Sequence, residues 1–115
     1  MNPHRGEHSF IVDGETFIGK LTVNSLCTLE TVTGEEATVT MSSFAAGIDQ
    51  KKINFTAMRA VLWASLLEKH EGKTLKTVGE MIEAMTIPVA ANIVVEIIKA
   101  AFPVAEEEKA EGSPQ

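Results

Sequence analysis

Cysteine is nearly absent: of 115 residues only Cys27 carries a thiol, so an internal disulfide is excluded and a reducing cytosol is the natural setting. Aromatic side chains are also few, with one Trp, five Phe and no Tyr. The core must therefore rest on Leu, Ile, Val, Met and Ala, which suits packed helices. A basic balance is missing too. The formal charge is −6, which disfavours phosphate backbones and anionic membrane surfaces as partners. Long apolar runs are lacking: the longest, 87–102, is broken by Asn92, Glu96 and Lys99 and is too short and polar to span a bilayer. Residues 1–9 have no apolar signal-peptide core. The expected setting is the cytoplasm.

Catalytic patterns are equally scarce. Gly14, Gly19 and Gly34 form neither a dinucleotide fingerprint nor a phosphate loop. Cys27 has no histidine near it in sequence and reads as a small buried hydrophobe on a helix. His4 and His8 are spaced for a helical metal site, but they flank Gly6 in an extended segment, and His70 is remote. Glu35-Glu36 and Glu106-Glu107-Glu108 read as solvated carboxylates rather than an acid–base pair. No enzyme activity, metal or cofactor is expected.

What is present is one domain's worth of patterned chain. Asp13-Gly14 between 8–12 and 15–21 predicts a hairpin with a type I′ turn. That turn sets Val12 against Glu15 and Phe10 against Phe17, and places Phe10, Val12, Phe17 and Leu21 on one face. A lone hairpin is marginal in water, so this face needs a cover.

Helical periodicity follows. A first helix over 23–33 is capped by Thr22 or Asn24 and stopped by Gly34, with Val23, Leu26, Leu29 and Val32 as its stripe. A second, over 35–46, has Ala37, Met41, Phe44 and Ala45 inward and ends at Gly47; its Thr38-Val39-Thr40 run is β-branched. A polar connector over 48–53 leads to a third helix, capped by Asn54 or Thr56 and running to about His70, with Phe55, Met58, Leu62 and Leu66 as its main face. Lys69 and His70 suit the negative end of its dipole. Thr74, or alternatively Thr77, caps a fourth helix, and Pro88 opens a fifth that Pro103 stops. The expected fold is α+β: a hairpin packed on four to five helices over 1–103, then a disordered acidic tail over 104–115.

The third and fifth helices carry more apolar surface than one stripe requires. Trp63 and Leu67 on the third, with Ile93, Val94, Ile97, Ile98 and Phe102 on the fifth, are the candidate partner-binding residues. The alternative, that both helices are simply central to the core, stays open at this point.

The N-terminal third carries a signature: Arg5-Gly6-Glu7, a strand, Asp13-Gly14, a second strand ending Leu21-Thr22, then Asn24-Ser25-Leu26 and Leu29-Glu30. It resembles the opening of the tail assembly chaperones of gene transfer agents and siphovirus-like phages, a family sometimes labelled tail tube proteins. The late Ala100-Ala101-Phe102 is similar to the end of that family's last helix. The likeness is densest over 5–30 and extends to 102. It implies a non-catalytic protein that coats the long helical tape-measure protein before the tail tube polymerises, that self-associates, and that is absent from the finished particle. The rival reading is a structural tube or connector subunit. Two strands are too few to build a closed tube ring, which favours the chaperone.

Overall fold

Asp13 and Gly14 take φ of 51° and 80°, the two positive values that a type I′ turn demands. They join β1 (Glu7–Val12) to β2 (Glu15–Lys20), antiparallel, with Val12 opposite Glu15 and Phe10 opposite Phe17 as expected. Phe10, Val12, Phe17 and Leu21 are buried together, and the rings of Phe10 and Phe17 stack at 5.8 Å. The computed structural model describes residues 6–102. The tail expected over 104–115, and the stop expected at Pro103, lie outside the described residues.

Five helices follow: α1 (Val23–Thr33), α2 (Ala37–Asp49), α3 (Phe55–Leu66), α4 (Leu75–Met85) and α5 (Ile87–Ala101). The caps are local chemistry. Thr22, Asn54 and Thr74 each accept a hydrogen bond from the backbone N–H three residues on. Gly34, at φ 76°, closes α1 with its N–H donating to the Glu30 carbonyl. Helix α3 lies at the centre, with Met58, Val61, Leu62, Ala64 and Leu66 fully enclosed. The hairpin lies on α3 and α5, so the fold is the α+β arrangement of a hairpin over a helical layer.

Several expectations are corrected. Helix α1 buries Ser25 and Leu29, while Val23 and Val32 are exposed. The Ser25 hydroxyl meets the Thr22 hydroxyl and donates to the Lys20 carbonyl, which rotates that face toward the end of β2. Cys27 is thereby exposed, not buried. Phe55, the first residue of α3, projects outward. Helix α2 begins at Ala37, where the Glu30 carboxylate accepts from the Ala37 N–H at 2.9 Å. Its Thr40 is buried and spends its hydroxyl on Glu35, which makes the β-branched run tolerable.

Gly47 does not end α2. The helix runs to Asp49 and closes as a Schellman motif: Lys52 N–H donates to the Gly47 carbonyl and Lys51 N–H to that of Ile48. A Cβ on Gly47 would strike the Lys52 carbonyl, so this glycine is set by close approach. Ile48 and Ile53, placed in a polar connector by sequence, pack against the core. The residue at the left-handed position is Lys51, at φ 60°.

Helix α3 stops at Leu66, earlier than expected, and His70 leaves the helix axis. Its Nε2 accepts the Ile18 N–H at 3.0 Å, and its ring tilts on Phe17 at 5.1 Å. Only the neutral ring protonated on Nδ1 can do this. Ile18 therefore directs its N–H away from Ser9, its partner across the ladder, and His70 occupies the outer edge of β2.

Beside it, Gly19 sits on the buried face between Phe17 and Leu21. A Cβ there would lie 2.7 Å from Ile97 Cδ1 and 2.9 Å from Ser65 Oγ. Gly19 thus lets the hairpin settle onto α3 and α5 at backbone distance.

Three outcomes test this account. Gly19→Ala should cost about 1–3 kcal/mol in urea unfolding, and adding Ile97→Val should recover part of that cost, giving non-additive free energies. His70→Ala, which strips the acceptor from a partly buried N–H, should cost about 1 kcal/mol, with His70→Gln losing less. Lys51→Gly should raise stability by up to about 1 kcal/mol, because only glycine adopts the left-handed position without a Cβ penalty.

Candidate functional site

Helix α5 explains where the surplus apolar surface goes. Ala90, Ile93, Val94 and Ile97 point inward and are buried against the hairpin and α3. The expectation that Ile93, Val94 and Ile97 form a partner-binding surface is therefore corrected: the monomer's own core occupies them. Trp63 is half-buried, and its Nε1–H donates to the Lys73 carbonyl at 2.8 Å, pinning the loop before α4. Leu67 is half-buried at the end of α3. Neither belongs to the surface that Ile98 and Phe102 share.

That surface is a second stripe on α5. Pro88, Ala91, Val95, Ile98 and Phe102 recur at alternating spacings of three and four, so they align along one side of the helix. They face α2, which runs antiparallel to α5 and offers Thr38, Met41, Ser42, Ala45 and Ile48. The seam opens as two hollows. One, of about 190 Å³, lies between Thr38, Met41, Ser42 and Ala45 and the α5 residues Ile98 and Phe102. The other, of about 450 Å³, lies between Ile48, Lys51 and Ile53 and the α5 residues Pro88, Ala91, Asn92 and Val95. They lie in line along the α2–α5 seam, and this pair of hollows is termed the α2–α5 groove. Phe102 stands 45% exposed at one end and Lys51 stands at the other.

Of the residues singled out by sequence, Ile98 and Phe102 are in this groove. Pro88, Ala91, Val95, Ile48 and Ile53 were missed. The signal for the α5 members is the three–four spacing that runs back from Phe102 and Ile98, which the sequence reading grouped instead with Ile93, Val94 and Ile97.

Two other concavities lie elsewhere on the described residues. A hollow of about 290 Å³ lies between Phe55, Met58 and Arg59 of α3, Gly79, Ile82 and Glu83 of α4, and Ile87. A shallow acidic hollow at Gly34 is lined by Glu30, Glu35 and Glu36. There Glu30 caps α2 and Glu35 holds Thr40, so both carboxylates have structural work.

Among the described residues no group of three or more His, Cys, Asp and Glu could hold a metal ion. Within the same residues, every buried side-chain nitrogen or oxygen has a hydrogen-bond partner. His4 lies outside the described residues. No single helix is long and apolar enough to cross a membrane. The α2–α5 groove can take an amphipathic helix by its apolar anchors. Comparison with protein-family models, with curated proteins and with solved structures finds no match to this chain.

Proposed function

We propose that this chain is a non-catalytic, phage-type tail assembly chaperone that holds amphipathic helical segments of a tape-measure protein in its α2–α5 groove. The observation that carries the reading is the α5 stripe of Pro88, Ala91, Val95, Ile98 and Phe102, which lines two apolar hollows opposite α2 and runs from the buried Ala91 to the exposed Phe102. By the resemblance, a tape-measure protein is long, helical and apolar, and it is coated before the tail tube polymerises around it. A groove between two helices buries the i, i+3, i+4, i+7 anchors of such a segment. The resemblance of the N-terminal signature is the ground for naming a tape-measure protein as the partner. The acidic charge keeps the loaded protein dispersed. In this reading the protein works in the bacterial host cytoplasm and releases its cargo as the tail tube closes.

Co-expression with a tape-measure fragment tests the proposal. The fragment should become more soluble and co-purify with the chain. Ile98→Glu places a charge in the groove without entering the buried stripe. It should weaken the complex at least about tenfold. Val23→Glu, on the exposed side of α1, should leave binding unchanged. If the fragment neither gains solubility nor co-purifies, the reading fails. Mass spectrometry that finds the chain in purified particles would favour a tube or connector subunit instead.

A further inference from the structure

Helix α2 closes onto a lysine in the left-handed position. Lys51 sits at φ 60°, with its N–H donating to the Ile48 carbonyl at 3.0 Å. Glycine is the ordinary residue at such a helix end, because it alone enters that region without a Cβ penalty. The fold makes no use of the side chain that stands there instead. Among the described residues Lys51 makes no ion pair and no side-chain hydrogen bond. It lines the larger hollow of the α2–α5 groove.

That hollow is apolar at Ile48, Ile53, Ala91 and Val95. Its polar lining is Lys51 from one side of the seam and Asn92 from the other. An ammonium and a carboxamide NH2 both donate, so one carboxylate can accept from the two of them. The smaller hollow has only neutral hydroxyls in its polar lining, Thr38 and Ser42. The charge is thus confined to one end of the groove. Among acids, α2 carries Asp49 and α5 carries Glu96. Glu96 pairs with Lys99 at 3.8 Å, and the exposed Lys52 offsets Asp49. The end of α2 is locally positive in a chain whose formal charge is −6.

We propose that Lys51 and Asn92 make the groove selective for a helical segment that carries a carboxylate, Asp or Glu, at one end of its apolar stripe. The inference rests on the reading of the groove as a helix-binding site. Apolar anchors lie over Ile98 and Phe102, while the carboxylate meets the Lys51 ammonium and the Asn92 amide. The rise from Asn92 to Phe102 along α5 is about 15 Å, so the acid and the far anchor stand about three turns apart on the bound segment. The segment's own apolar face shields the contact from water, which strengthens it relative to an open surface pair. A segment with glutamine in the same place covers Lys51 and leaves its charge without a partner, and that loss is the source of the selectivity.

Two synthetic peptides test this. Both are amphipathic helices with the same leucine stripe; one has Glu at an end of the stripe and the other has Gln. In calorimetric titration of the full chain at low salt, the Glu peptide should bind at least about threefold more tightly, against the repulsion that the chain's net charge imposes. The difference should shrink at about 0.5 M salt. Lys51→Gly should erase the preference while the chain stays at least as stable in urea, which separates lost recognition from lost folding. Asn92→Ala should reduce it. Lys76→Ala removes a cation from α4, outside the groove, and should preserve it. Equal affinity for the two peptides, or a preference that survives Lys51→Gly, overturns the inference and leaves the helix-binding groove standing. Binding of neither peptide overturns both.

Discussion

The hairpin's need for a cover governs the whole arrangement. Two strands cannot hold their own apolar face dry, so Phe10, Val12, Phe17 and Leu21 must be laid on something rigid. The approach is unusually close because Gly19 brings backbone, not side chain, against Ile97 and Ser65. That contact settles the rotation of α5. With Ile97 under Gly19, the residues one turn back, Ile93 and Val94, are committed to the same buried layer. The stripe beginning at Pro88 is then turned away from the hairpin and toward α2. The groove is thus a consequence of how the hairpin is seated.

The α4–α5 corner enforces the same orientation from the other end. Thr86 alone joins the two helices: its N–H closes α4 on the Ile82 carbonyl, and its carbonyl accepts the Ala90 N–H that opens α5. The chain bends by 117° there. Thr86 does so at φ 83° and ψ 151°, a region that only glycine enters freely, at a cost on the order of 1–3 kcal/mol. Burial on both sides offsets that cost: Val78, Ile82 and Met85 anchor α4, while Ala90, Val94 and Ile97 anchor α5. A looser corner would let α5 roll and close its outer stripe against α2.

What could be read in the sequence was what is decided locally. The Asp13-Gly14 turn, the strand register, and the caps at Thr22, Gly34, Asn54 and Thr74 depend on residues a few positions apart. What could not be read depended on partners distant in the chain. Val23 and Val32 looked like a stripe until the Ser25 hydroxyl, bound near the end of β2, set the phase of α1. Gly47 looked like a stop because its real role, room for the Lys52 carbonyl, is a close contact rather than a pattern. His70 looked like a dipole partner because its acceptor role needs Ile18, far away in sequence. The candidate site was half legible for the same reason. The apolar excess on α5 was visible, but its division into an inner stripe ending at Ile97 and an outer one ending at Phe102 required the neighbours of each.

The α2–α5 groove differs in kind from the hairpin that orients it. The hairpin is held by directed backbone hydrogen bonds in a fixed register, and His70 adds one more at the Ile18 N–H. The groove offers apolar side chains and few directed hydrogen bonds, so a surface of this kind tolerates many sequences that share only an amphipathic helix. Rigidity in the first element is what keeps the second from closing: the seat of the hairpin fixes the rotation of α5, and that rotation holds the outer stripe in the seam with α2.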